Sequence, residues 1–307
     1  MTPGTVPQSV RDGSAFAPVA PPGFRADPPP PVDRLVIGRT VKEALALVPC
    51  LFALCRAAQD AALRAALGIG GADPAALRAE ILRDHLLLLF NVLPARMGLG
   101  ARPLPPDWRA GGPALGRALF GPAGTAPGAD DLGAWLGSGH GAAPVLRHLS
   151  TLFAPGAAVA EGLDPPRRAA DGLAHDPFEN SVAGRMADHP AMRAAERRWG
   201  RGPLWRVLGR VCECGALIEG APCAMRVERT VAAVPATRGT LSLRAEARAG
   251  HITRFERTTP TDHLLAPGGV MARTLAALPA DGASRLDLVI AILDPCVPLR
   301  RVEAAHA

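Results

Sequence analysis

The sequence predicts an α+β chain, mostly helical, with a small antiparallel sheet in the C-terminal part. Two observations carry this class. Ala- and Leu-rich stretches, opened by capping residues and closed by Pro or Gly, run from Thr40 to Leu93 and return in pieces between Ala143 and Glu219. After Cys223 the apolar period changes. In "TLSLRAEAR", Leu241, Leu243, Ala245 and Ala247 share one face, and Ser242, Arg244, Glu246 and Arg248 the other, as in a half-buried strand.

Each element has a local reason. Residues 1–31 end in "ADPPPP" and hold little large apolar surface to offset ordering entropy, so they are expected to be a disordered, Pro-rich tail. One domain is expected over 32–299, with a flexible C-terminus over 300–307. A helix is expected from Thr40 to Leu67. Thr40 and Glu43 have the spacing of a capping box, and Pro49 must kink the helix or split it in two. A second helix is expected from Pro74 to Leu93, with Asp73 as its cap. Its centre, "DHLLLLFNVL", is apolar nearly all round and therefore deeply buried.

Residues 98–142 are rich in Gly and Pro and read as irregular chain with short helical pieces. Helices are then expected at Ala143–Phe153, Ala191–Trp199 and Leu204–Glu219. "MRVERTVAAV" reads as a strand, and "AGH" turns the alternating strand toward "ITRFER". "RTTPTDHLLAPGG" reads as a stiff loop. A helix from Gly269 to Leu278 and an apolar run, Leu286–Leu293, end the domain.

Composition excludes several classes. The chain has 307 residues, 48% of them hydrophobic, enough for a sizeable core. The net charge of +6 comes almost wholly from Arg, Lys occurring once, at Lys42. No block of like charge and no aromatic–basic interleaving marks a groove binder, so nucleic acid is not an expected partner. The longest purely aliphatic run, Leu86–Leu89, is far too short to span a bilayer, so no membrane insertion is expected. The N-terminal stretch lacks the continuous apolar core of a signal peptide. A cytoplasmic, reducing location is the expectation. There, six scattered cysteines are buried, catalytic or metal-bound rather than paired.

Few residues stand out for chemistry. Cys50 and Cys55 lie five apart, not on one helical face, and viewed alone each reads as a small buried hydrophobe or a ligand. Cys212, Cys214 and Cys223 lack a C-x-x-C pair and a fourth ligand at standard spacing, so structural zinc is not expected. His85 and His148 read as core residues. His175, Asp176 and Glu179 in "HDPFEN" read as turn and cap chemistry. Arg238 stands before a Gly at the head of the alternating strand, where its planar fork could reach a site.

Six segments, in order, resemble the nickel-iron hydrogenase large-subunit superfamily, and above all its short HupK/HoxV-type branch of hydrogenase expression and formation proteins. They are "IGRTVKEALALVPCLFALCRAAQDAA", "AEILRDHLLLLFNVLP", "ENSVAGRMADHP", "ATRGTLSLRAE", "TTPTDHLLAPGG" and "AILDPCVPL". The resemblance implies a large-subunit-like core for the domain. In the enzymes an N-terminal C-x-x-C and a C-terminal D-P-C-x-x-C bring four thiolates to one nickel-iron centre. Here Cys55 and Cys296 match one cysteine of each pair, while Phe52 and Leu299 occupy the other two positions and Gln59 replaces a His.

The resemblance therefore implies no nickel and no hydrogen turnover. It implies a maturation scaffold on which Cys55 and Cys296, as iron ligands, hold an Fe(CN)2(CO) fragment transiently. Arg238 matches an arginine beside the diatomic ligands, and Thr261 a threonine of the "PT" turn. Asp262 and His263 stand where the branch has Glu and Trp. The implied partners are hydrogenase maturation factors and hydrogenase subunits. The alternative is a metal-free interaction protein binding the same subunits or factors. A redox enzyme with a degenerate site is a third reading, opposed by the missing cysteines.

Overall fold

The computed structural model describes residues 24–28 and 30–302. At its centre lies the helix Pro203–Ile218, whose residues from Pro203 to Gly215 are all buried. Pro203 opens the first turn, where its missing N–H is no loss. The helices Pro74–Leu87, Gly112–Phe120, Ala143–Leu152, Val182–Arg185, Pro190–Trp199 and Leu286–Leu293 pack around it. Gly209 permits the close approach of Val182–Arg185, since a Cβ there would run into Ala183. Among the described residues no helix is long and apolar enough to cross a membrane.

A four-stranded antiparallel sheet follows in the chain: β2 (Arg226–Glu228), β3 (Val231–Ala236), β4 (Gly239–Arg248) and β5 (His251–Thr258), in that order. The helix Arg56–Ala66 packs on β3 and β4. The β4–β5 turn puts Ala249 and Gly250 at φ of 49° and 79°, the double positive φ of a tight hairpin. Pro235 of β3 pairs with Thr240 of β4, but β2 reaches only as far as Ala233. The missing N–H of Pro235 therefore costs no ladder bond on the β2 side. The β3–β4 hairpin closes with Ala236 opposite Gly239, which leaves Thr237 and Arg238 at its tip.

The helix opened by the Thr40–Glu43 capping box runs through Pro49 and ends at Cys50. The next helix starts at Arg56, so the expected split occurs, and Cys55 lies at the second helix's N-terminal boundary. The long apolar helix is regular only to Leu87, and Leu88–Val92 widens into a π-helical turn. Pro94 has no N–H to give the Phe90 carbonyl, and the backbone N–H of Arg102 supplies one at 2.7 Å.

Four expectations are corrected. The segment read as the strand "MRVERTVAAV" breaks into β2 and β3 around Arg229, which has a φ of 55°. The "TTPTDHLL" loop contains a helix, Pro260–Leu264. Thr259 and Asp262 form its capping box, with Pro260 in the first turn. Within the expected tail, β1 (Phe24–Ala26) pairs with β6 (Leu299–Arg301), inside the expected flexible C-terminus at Arg300 and Arg301. Main-chain pairing and a forked Arg300–Asp27 ion pair, at 2.9–3.1 Å, hold these short strands together. Residues 1–23 of the expected tail lie outside the described residues.

Candidate functional site

Several pieces of chain line a cavity of about 350 Å³, among them Asp27, Pro28 and Pro30, the link Leu51–Cys55, the hairpin tip at Thr237 and Arg238, the start of the Pro260–Leu264 helix, and Cys296–Pro298. Cys55 and Cys296 both line it, with Arg238, Gln59 and Arg257. Thr261 lies just behind the wall, bonded to Cys296. The four residues singled out in the sequence thus meet in one place. Cys212 and Cys214 are buried in the central helix, and neither they nor Cys223 lines the cavity.

Cys55 stands where an N-cap would, yet its side chain makes no capping bond. The helix end is satisfied by Glu80 of a neighbouring helix, whose carboxylate accepts from the N–H groups of Ala57 (2.7 Å) and Ala58 (3.1 Å). The Cys55 sulfur is thereby left free for the cavity. Burial pushes its pKa up. A Gln59 N–H, 3.6 Å from the sulfur, works against that rise, and the nearby Cys296 adds to it. The Oε1 of Gln59 is buried with no hydrogen-bond partner among the described residues.

The D-P-C motif has a local logic. Asp294 ends the Leu286–Leu293 helix in the left-handed region, with φ 51° and ψ 59°. Asp is among the few residues that adopt this conformation readily. Pro295 follows and cannot extend the helix. Cys296 then enters the cavity wall as an exposed thiol. The Thr261 hydroxyl accepts from the Cys296 N–H at 2.9 Å and donates to its sulfur at 2.8 Å.

Arg238 is anchored on Asp294, with Nη2 3.0 Å from Oδ1 and Nε 3.0 Å from Oδ2, and lies 3.7 Å from Asp84. Burial opposes its charge, but the two carboxylates raise its pKa. Arg210 reaches the same pair, with Nη2 2.9 Å from Asp294 and Nη1 3.1 Å from Asp84. Arg210 also donates to Nδ1 of His85 at 3.2 Å. Since arginine cannot accept, Nε2 of His85 carries the proton and donates to Glu213 at 2.7 Å. Arg185 then clamps Glu213 at 2.7 and 2.8 Å and bonds the Gly239 carbonyl. Burial resists the ionisation of Glu213. The charge of Arg185, with hydrogen bonds from His85 and Arg185, overcomes it and brings the pKa down to about 2.

Several of these residues were not legible as site residues. Glu179, read as turn chemistry, is fully buried and forks onto Arg206 at 3.0 and 2.9 Å. His85 does lie in the core, but as a link in a charge network. A signal was available: Arg206, Arg210 and Glu213 fall at i, i+4 and i+7 of an otherwise apolar helix, one stripe of one face. Asn180 fixes the hairpin from the other side. It exchanges two 2.8 Å bonds with the Thr240 backbone and donates to Nδ1 of His263 at 2.9 Å. Gly239 is needed here, because a Cβ would run into the Asn180 carbonyl. Asp262 caps its own helix, and His263 donates from Nε2 to the Ala174 carbonyl at 2.9 Å.

Chemically, the arrangement offers two thiols and no further metal-binding cluster: among the described residues, no three His, Cys, Asp or Glu side chains gather for a metal ion. No family model matches the chain. A crystal structure of an NAD+-reducing [NiFe]-hydrogenase in the H2-reduced state aligns over 86% of this chain and 89% of that one, at 16% identity and a TM-score of 0.49. The hydrogenase expression/formation protein HupK of Rhodobacter capsulatus is 48% identical over 279 residues, which span 91% of this chain and 92% of that protein. Identity at that level, along nearly the whole length of both proteins, makes this chain a member of the HupK family of hydrogenase expression/formation proteins.

Proposed function

We propose that the chain is an accessory protein of nickel-iron hydrogenase maturation, and that it holds an Fe(CN)2(CO) fragment between Cys55 and Cys296 during assembly or transfer. The observation that carries this reading is the meeting of two thiols, from opposite ends of the domain, on one cavity. Thiolates are the ligands that a soft, low-spin iron fragment takes. Thr261 bonds both the sulfur and the N–H of Cys296 and so holds that thiol in place at the cavity. The raised pKa of Cys55 means that loading releases a proton.

Phe52 and Leu299 stand where a nickel site would need two more thiolates, so nickel and hydrogen turnover are not part of the proposal. The name of the Rhodobacter capsulatus relative supports a role in making a hydrogenase rather than being one. The proposed partners are the maturation factors that deliver the fragment and the hydrogenase subunit that takes it.

The test is infrared absorption in the cyanide and carbonyl region, with iron and nickel analysis, on protein isolated without oxygen from cells making the maturation machinery. Cyanide and carbonyl bands with iron and without nickel are expected, and Cys55→Ser or Cys296→Ser should each abolish them. Wild-type protein that is free of iron and of bands, yet carries hydrogenase subunits, would make it a metal-free interaction protein instead.

A further inference from the structure

The arginines around the cavity are unequal. Arg238 is spent on Asp294 and Asp84, and Arg300 on Asp27. Arg257 of β5 lines the cavity beside both cysteines, its guanidinium carbon 4.3 Å from the centroid of the Phe52 ring. Among the described residues its guanidinium has no hydrogen bond and no ion pair. The carboxylate whose charge it feels most is Asp262. The Oδ2 of that carboxylate is already taken by the backbone N–H and hydroxyl of Thr259, at 2.6 and 2.7 Å.

Leu51, Phe52, Leu241 and Val297 make the surrounding wall largely apolar. A guanidinium beside such a wall, with no protein partner for its donors, is placed to receive an anionic group. Burial lowers its pKa, an effect that Asp262 and the two cysteines oppose. The matching charge appears once the proposed cargo is bound. Iron(II) with two cyanides is neutral, and two thiolates leave the bound complex with two negative charges.

We propose that Arg257 reads that charge: it donates a hydrogen bond to a cyanide nitrogen of the held fragment and selects an anionic complex over a neutral one. This rests on the iron-fragment reading. It leaves Arg238 as a positioning residue, which holds the Asp294 turn and with it Cys296.

The test compares wild type, Arg257→Met and Arg257→Lys as full chains, isolated with the maturation machinery and checked for fold by circular dichroism. Arg257→Met is expected to lower iron affinity about tenfold, equivalent to about 1.4 kcal/mol. In the fraction still loaded, at least one cyanide band should shift while the carbonyl band moves less. Arg257→Lys keeps the charge without the fork and should shift the cyanide bands with a smaller loss of iron. Wild-type bands with unchanged iron and unshifted cyanide bands in Arg257→Met would overturn the role of Arg257 and leave the scaffold reading standing. No bands in wild type would sink the scaffold reading and this inference with it. Should Arg257→Met not fold, Arg257→Lys decides, and unshifted cyanide bands there overturn the proposal.

Discussion

On one side of the β3–β4 hairpin tip runs a largely buried chain of polar groups, charged except for His85: Arg185, Glu213, His85, Arg210, Asp84, Asp294 and Arg238. On the other lies the cavity of Cys55, Cys296, Gln59 and Arg257. In the first region each group is paired with the next, although the Nε of Arg238 lies 3.0 Å from Asp294 without a hydrogen bond to it. The second keeps polar groups unspent: the Oε1 of Gln59 has no partner among the described residues, and Arg257 makes only a ring contact. Closed networks fix geometry, because breaking one member strands another in a dry interior. Open groups cost stability in the empty protein and are tolerated where a ligand completes them. Arg238 and Asp294 join the two regions, so the network can set the position of Cys296.

If this contrast is right, substitutions in the two regions must differ in kind. The largest effect is expected from Glu213→Ala, which strands Arg185 and removes the acceptor of His85. A loss of about 3–5 kcal/mol in urea unfolding is expected. A loss below about 1 kcal/mol would show that the network is not the rigid half of the pair.

Acid should attack the same region. The carboxyl of Glu213 titrates near 2 when folded against 4.5 when free, so its contribution is complete above about pH 4.5 and disappears as pH falls toward 2. Burial lowers the pKa of His85 below 6.5, against the hydrogen bond to Glu213, and lowers that of His263 against its bond to Ala174. The unfolded chain therefore binds more protons below pH 6.5, and stability should already decline from there downward. Urea midpoints between pH 7.5 and 4 measure this, and a flat profile would break the comparison.

In the cavity, Cys55→Ser and Cys296→Ser should change unfolding free energy by less than about 1 kcal/mol while abolishing iron loading. A loss of several kcal/mol would make the cavity structural. The smallest effect is one of rate. Alkylation of the native protein should modify exposed Cys50 and Cys296 first and Cys55 more slowly, while Cys212 and Cys214 wait for unfolding. Early labelling of Cys214 would show that the central helix opens.

The elements of the fold were largely legible because their causes are local. The Thr40 box, Asp73 before Pro74 and the alternation of β4 all act within a few residues. The misreadings were local chemistry seen in the wrong light. Thr259-Pro-Thr-Asp is a helix start, although its prolines and the glycines beyond suggest a loop. Of the site, position at the head of the alternating strand gave a weak signal for Arg238, and a resemblance of motifs pointed to Cys55, Cys296, Arg238 and Thr261, since a lone cysteine carries no signal by itself.

By itself the sequence determined a mostly helical α+β chain with a late antiparallel sheet, and it placed single cysteines at Cys55 and Cys296. Tertiary structure alone decided what those thiols face. Cys55 meets Cys296 because the Arg56–Ala66 helix packs on β3 and β4 and the Asp294 turn is tied to Arg238 and Arg210. Arg257 becomes an unspent cation because Asp262, five residues on, is committed to capping its own helix. Charge pairing across the chain depends on which elements touch, and that is a property of packing rather than of any window of sequence.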